Sequence, residues 1–364
     1  MSSSTGAAAV LQESEPMGED ASVIKGPDFE KEEKKEMTVT ELMDNYKTFG
    51  FQATNVGRAV EIVNEMLEGR QPGELASETG CKIWLTFTSN LISSGLREIF
   101  VFLAKHKLVD VICTSAGGVE EDIIKCLAPT VVGDYSLKGA ELRAKGWNRI
   151  GNMLVPNKNY ILFEEWLQPL LDEMWEEQEK GELWTPSKMI HRLGERIGNE
   201  ESLYYWCWKN DIPVFCPAIT DGSIGDNLFF HSYKKDPAIR VDLVQDIRRV
   251  NEMAMRHTQG KSAMLILGGG IPKHHACNAH LMRNGADLAV YINTAQEFDG
   301  SDSGGNPEEA ISWGKIRTGA RQVKVCAEAT VVFPLLAAAS FVRWWREGGG
   351  DGRERTKSGK GEDF

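Results

Sequence analysis

Residues 37–345 predict a single α/β domain: a doubly wound, mostly parallel sheet of the Rossmann-like kind, with a helical extension at its amino end. Three observations carry that expectation. Short apolar runs rich in β-branched residues alternate with stretches of helical period, as βαβ units require. The runs are apolar at successive positions rather than at every second one, as strands covered on both faces must be. Their carboxyl ends are rich in Gly, Ser and Asp, where open α/β sheets hold ligands.

In chain order, residues 55–67 predict an amphipathic helix ahead of the sheet. IWLTFTSN leads into GLREIFVFLAKH, and VDVICTSAGG into VEEDIIKCL. IPVFCPAITDG follows a YYWCWK helix, and SAMLILGGG runs into HHACNAHLMRNG. LAVYINTA and VKVCAEAT are the last strands, followed by the helical VVFPLLAAASF. The segments TSN (88–90), TSAGGVEED (114–122), TDGSIGD (220–226), LGGG (267–270) and INTAQEFDGSD (292–302) then border one crevice. Outside the domain, residues 1–36 are Ser/Ala-rich and then densely charged, and 346–364 are Gly-rich and charged. Both compositions predict disorder, because they bury too little apolar surface to offset the entropy of ordering.

The 364 residues are 41 % hydrophobic and 26 % charged, ordinary globular usage. The most apolar segment, TVVFPLLAAASFV, is too short and Pro-interrupted to span a bilayer, and MSSSTGAAAV lacks the regions of a signal peptide. A cytoplasmic protein without membrane contact is expected. The formal net charge of −12 repels phosphate backbones, which argues against nucleic acid and for a cationic ligand or a basic protein partner. Seven cysteines are scattered, mostly in apolar runs, with no C-x-x-C pair, as expected of buried reduced thiols.

TSAGG and LGGG each follow a strand and open a helix, where glycine admits a ligand to the backbone and free N–H groups favour phosphate. Neither is G-x-G-x-x-G, so tight strand-to-helix turns remain the other reading. In HHACNAH, His275 and His280 are five apart and fall on different faces, whereas His274 and Asn278 share one. With no second ligand cluster, no metal is expected, and His274 is read as either a proton acceptor at the crevice or a structural histidine.

EFDGSDSGGNPEEA departs from a calcium loop at the twelfth position, where Ala310 replaces the bidentate glutamate. It predicts instead an acidic loop entering a helix, with Asn306 as N-cap, Pro307 at the first position, and Glu308 and Glu309 in the first turn. Six acids and no base separate Arg283 from Lys315. Glu309 and Trp313 share a helix face able to hold an ammonium by charge and a methylene stem on the indole. Lys315 lies six past Glu309, so it joins that pocket only if the helix ends at Gly314 and turns it inward. The residues alone leave its role open. Carboxylates favour an ammonium, whereas desolvation favours the amine that attacks carbon.

GGGIPKHHACNAHLMRNGADLAVYINTAQEFDGSDSG followed by EEAISWGKI resembles the deoxyhypusine synthase family. So do GFQATNVGRAVEIVNEM, FTSNLISSGLRE, TSAGGVEEDIIKCLAPT, RIGNMLVPN, WTPSK and PVFCPAITDGSIGD, and the resemblance runs from about residue 42 to 338. It implies a Rossmann-like homotetramer with active sites across subunit interfaces, NAD as cofactor, spermidine as substrate, and the translation initiation factor 5A precursor as protein partner. In that family the 4-aminobutyl group of spermidine passes through an enzyme-lysine imine to one lysine of the precursor, releasing 1,3-diaminopropane.

Carried over by position, the resemblance implies Lys315 as the nucleophile and His274 as its catalytic partner. The implied polyamine pocket comprises Glu120, Glu121, Asp226, His274, Asn278, Tyr291, Asp299, Gly300, Ser301, Asp302, Glu309 and Trp313. The implied dinucleotide contacts are Ser89, Asn90, Leu91, Ile92, Ser93, Ser115, Ala116, Gly117, Glu121, Asp221, Gly269, Thr294, Ala295, Glu328 and Ala329. At Glu328 the family commonly carries aspartate, one methylene shorter, so the dinucleotide is expected to seat differently. Two neighbouring readings share the resemblance. A homospermidine synthase takes putrescine as acceptor, and no residue here separates it. A non-catalytic subunit has no use for Lys315, His274 and Glu309 together.

Overall fold

The computed structural model describes residues 11, 18, 21–30 and 36–349. The disorder expected for residues 1–36 and 346–364 falls for the most part outside them. Strand β1 (Lys82–Phe87) shows how an apolar run becomes a central strand: Ile83, Leu85 and Phe87 pack to one face and Trp84 to the other, all at 0 % exposure. There follow β2 (Val111–Cys113), β3 (Val131–Val132), β4 (Trp147–Ile150), β5 (Met153–Pro156), β6 (Val214–Phe215), β7 (Ser262–Leu267), β8 (Ala286–Asn293) and β9 (Ile316–Cys326).

The main sheet runs β6-β2-β1-β7-β8-β9 with every neighbouring pair parallel. In order of appearance its strands stand third, second, first, fourth, fifth and sixth, so the winding reverses between β1 and β7. This is the doubly wound sheet the alternation predicts. Helices Phe51–Leu67, Leu96–Lys105, Ala116–Leu127 and Ala329–Ala337 cover one face. Leu243–Arg256, Gly270–Met282 and Pro307–Ser312 cover the other. Among the described residues no helix is long and apolar enough to cross a membrane.

Three details depart from the pattern reading. The helix expected at 55–67 begins at Phe51: Gly50 turns the chain at φ 98°, its N–H donates to Thr54 Oγ1, and Phe51 is 98 % exposed, so the first turn carries no buried period to read. The IPVFCP run yields only the two-residue β6, because Pro213 and Pro217 flank it and cannot donate to a ladder. An antiparallel sheet, β3-β5-β4, and the long helix Asn157–Glu179 are additions that the alternation does not announce.

Candidate active site

The carboxyl ends of β1, β7, β8 and β9 surround a depression of about 120 Å3 bordered by Thr88, Asn90, Gly268, Thr294, Glu328 and Ala329. It lies at the reversal of winding, where such sheets bind ligands. Glycine is required here by space. A Cβ on Gly117 would stand 2.8 Å from Ser89 Cβ, and one on Gly268 would stand 2.6 Å from Thr88 Oγ1. Two long helices, Ala116–Leu127 and Gly270–Met282, begin at this rim. Ser115 Oγ is buried there without a hydrogen-bond partner. The unpartnered Ser115 hydroxyl, the start of helix Ala116–Leu127 and the Glu328 carboxylate form a donor and acceptor set that fits a dinucleotide. Ser89 and Asn90 border the rim, whereas Ile92 and Ser93 turn into the core at 0 % and 3 % exposure. Larger cavities lie elsewhere, one of about 500 Å3 beside Trp184 and Arg192.

Next to the rim stands an acidic pocket. Glu120 accepts the N–H of Ile224 at 2.8 Å, holding the start of helix Ser223–Ser232, whose first turn carries Asp226. Burial pushes the Glu120 carboxyl up to about 7, against the pull of the Ile224 and Ser223 N–H groups. Burial also raises Glu121, which accepts the Tyr160 hydroxyl at 2.9 Å and keeps Oε2 buried and unpartnered. Two carboxylates already stripped of water, one with a free oxygen, suit an ammonium ligand. Asp221 is exposed on the loop before this helix.

Local geometry sets the surroundings of Lys315. Asn306 caps helix Pro307–Ser312 by accepting from the Glu309 N–H at 2.8 Å, with Pro307 at its first position. The helix ends at Gly314 (φ 75°) in a Schellman turn: Gly314 N–H donates to Ile311 O at 2.9 Å and Lys315 N–H to Ala310 O at 2.9 Å. That turn folds Lys315 back until its Nζ lies 5.6 Å from the centre of the Trp313 ring. Lys315 is half-buried, while Glu309 and Trp313 remain exposed, Trp313 at 63 %.

His274 and Asn278 share a helix face as the spacing requires, Asn278 Nδ2 lying 3.1 Å from His274 Nδ1. With the Asn278 amide donating, Nδ1 accepts and the ring proton sits on Nε2; with the amide reversed, Nε2 is the free acceptor. His280, by contrast, is buried against Trp84 and Ser262, and burial holds it down to about 4. Among the described residues no group of three or more His, Cys, Asp or Glu is placed to hold a metal ion. Tyr291 is fully buried, its hydroxyl 3.4 Å from Cys277 Sγ, and borders no open space. Asp299 caps its own turn by accepting the Ser301 N–H at 2.8 Å, with Gly300 at φ 72° between them. Asp302 keeps Oδ2 buried and unpartnered.

The chain thus brings the implied residues together in two groups, not one. Among the described residues no hydrogen bond or ion pair joins Glu120, Glu121 or Asp226 to Glu309, Trp313 or Lys315. The Lys315 backbone also stands at the amino end of β9, where its carbonyl accepts the Ala286 N–H at 3.0 Å. The crevice lies at the carboxyl ends of the strands, the other end of the sheet. Residues that the sequence does not single out complete both groups: Tyr160 on Glu121, and Lys273 and Lys324 on the acidic loop.

A family profile described as deoxyhypusine synthase matches residues 41–340. The chain belongs to the deoxyhypusine synthase family. It is 54 % identical over 355 residues to the deoxyhypusine synthase of Nicotiana tabacum, covering 91 % of this chain and 93 % of that one. It is also 54 % identical over 342 residues to that of Neurospora crassa, covering 92 % and 96 %. A crystal structure from Entamoeba histolytica, provisionally assigned as a deoxyhypusine synthase, superposes with a TM-score of 0.64 at 36 % identity, covering 88 % of this chain and 97 % of that one. Membership extends across both groups of site residues.

Proposed function

We propose that this chain is a transferase that makes deoxyhypusine, moving the 4-aminobutyl group of spermidine onto one lysine of the translation initiation factor 5A precursor with release of 1,3-diaminopropane. The observation that carries this reading is the Schellman turn at Gly314, which folds a half-buried lysine amine over an indole on the helix that bears Glu309. A polyamine is a chain of ammonium groups joined by methylenes, and carboxylates with an aromatic plate are its natural complement.

The steps follow from the residues. Glu120, Glu121 and Asp226 hold an ammonium end, and Trp313 and Glu309 hold the stem and the second ammonium. His274 takes the proton released from the secondary amine, at Nε2, with Asn278 presenting its oxygen to Nδ1–H. NAD would be held by the glycine-lined rim and Glu328, and would supply there a reversible acceptor for hydride from the butyl carbon next to that amine. Lys315 Nζ then attacks the oxidised carbon, a C–N bond to the propyl amine breaks, and 1,3-diaminopropane leaves as Lys315 keeps the butyl group as an imine. The acceptor lysine repeats the exchange and frees Lys315. Because that acceptor would be reversible, the product would be left saturated and the transfer would involve no net oxidation.

Because among the described residues no hydrogen bond or ion pair joins the acidic group to the lysine face, a homotetramer with each site built from two chains is part of this reading. The cytoplasm is its expected location. Borohydride added with spermidine and NAD is expected to fix an aminobutyl adduct on Lys315, found by peptide mass; an adduct on another lysine, or none, overturns the covalent route. Supplying precursor protein and putrescine in competition separates protein modification from homospermidine synthesis.

A further inference from the structure

Two lysines outside the polyamine and cofactor sets converge on residues 295–305. Lys273, in the first turn of helix Gly270–Met282, is 4 % exposed. Its Nζ donates to the main-chain carbonyls of Asp302 and Gly305, the latter at 3.1 Å, and lies 5.3 Å from the centre of the Tyr291 ring. Lys324, on β9, donates Nζ to the carbonyls of Gly304 at 2.6 Å and Ala295 at 3.0 Å. Neither ammonium hydrogen-bonds a carboxylate. Lys273 Nζ forms a long ion pair with Asp302 Oδ2 at 3.8 Å, and that oxygen is buried and accepts no hydrogen bond.

The arrangement answers an electrostatic difficulty. Glu297, Asp299, Asp302, Glu308 and Glu309 crowd a short stretch, and without a cation their repulsion favours an open loop. A lysine hydrogen-bonded to a carboxylate would relieve this but would occupy the oxygens a cationic ligand needs. Neutral carbonyls accept the hydrogen bonds instead, so the positive charge lies under the loop and pairs with Asp302 by charge alone, leaving its Oδ2 without a hydrogen bond. We propose that Lys273 and Lys324 form a main-chain clamp: Lys273 is a positioning residue for the ligand carboxylates, and Lys324 ties the same loop to the dinucleotide rim at Ala295. The ligand's identity rests on the function proposed above; the clamp itself does not.

The test uses full-length Lys273→Met and Lys324→Met, with hydrogen exchange at the amides of residues 302–305, spermidine KM and kcat, and the NAD Kd. Faster exchange is expected in both. Lys273→Met raises spermidine KM about tenfold while kcat and NAD Kd stay within about twofold, whereas Lys324→Met raises KM and Kd together, each about threefold or more. A general loss of structure would move all constants in both variants. Unchanged exchange in both variants overturns the clamp, as does a Lys273→Met variant whose NAD Kd shifts as far as its KM. If Lys273→Met does not fold, exchange in Lys324→Met decides. If the unsubstituted chain fails to use spermidine, the proposed function falls while exchange still judges the clamp.

Discussion

Glu120 and Glu121 are 6 % and 5 % exposed and bonded to a helix start and a tyrosine, whereas Trp313, beside Lys315, is 63 % exposed and Glu309 is open to water. The acidic half is finished inside one chain: its desolvation is built into the fold, and a cation entering there displaces little water. The lysine half is shaped but not sealed. An amine that must attack carbon needs dry surroundings, and on an open face dryness comes from whatever covers it. One group is therefore dry within the chain, and the other stays open to water.

The largest test breaks or keeps that division outright. Lys315→Ala is expected to lower transfer by at least on the order of 10^3-fold. Asp226→Asn chains, weak alone, should regain activity when assembled with Lys315→Ala chains, because a mixed pair restores one intact site. Turnover that stays lost in the mixture would mean each chain serves its own lysine, and the two-group reading fails.

Next in size is the built-in desolvation of Glu120. Its folded-state value of about 7 stands above the ordinary 4.5, so between those values the folded chain keeps a proton that the unfolded chain has released. The stability this supplies is complete below pH 4.5 and lost as pH rises to about 7. The loss is at most on the order of 3 kcal/mol. Glu120→Gln cannot ionise and should unfold at a higher temperature than the parent at pH 8, with little difference at pH 4. Equal midpoints at pH 8 would show that the pocket is wetter than its burial indicates.

On the open half, Trp313→Ala should raise spermidine KM about tenfold with little change in the thermal midpoint, since the indole packs against little. A large fall in the midpoint would make Trp313 part of the core instead. Smallest, Glu328→Asp should change the NAD Kd by about threefold or less, because carboxylate chemistry is kept and only reach changes. A shift above tenfold would show that the reach of the carboxylate at position 328, and not its charge alone, sets the cofactor's affinity.

What could be read in advance follows the range of the forces involved. Asn306, Pro307 and Gly314 act within one turn of their own helix, and His274 and Asn278 within one turn of theirs, so spacing alone places them. Lys273, Lys324 and Tyr160 find partners 29, 20 and 39 residues away in the chain. Two of the three bind main-chain carbonyls, which leave no mark in side-chain identity. The half-exposed strands β3 to β5 lack the apolar density that announces β1 or β7.

By itself the sequence determined the doubly wound sheet, the glycine-lined strand ends, the capped helix before Lys315 and the family, because periodicity, caps and long motifs are local and additive. Only the tertiary structure decided which distant groups hold Glu120 and Glu121, that one carboxyl is raised toward neutrality, and that two lysines reach under the acidic loop. Those outcomes depend on burial and on which distant carbonyl or carboxylate lies within a few ångströms, quantities that exist only once the chain has packed.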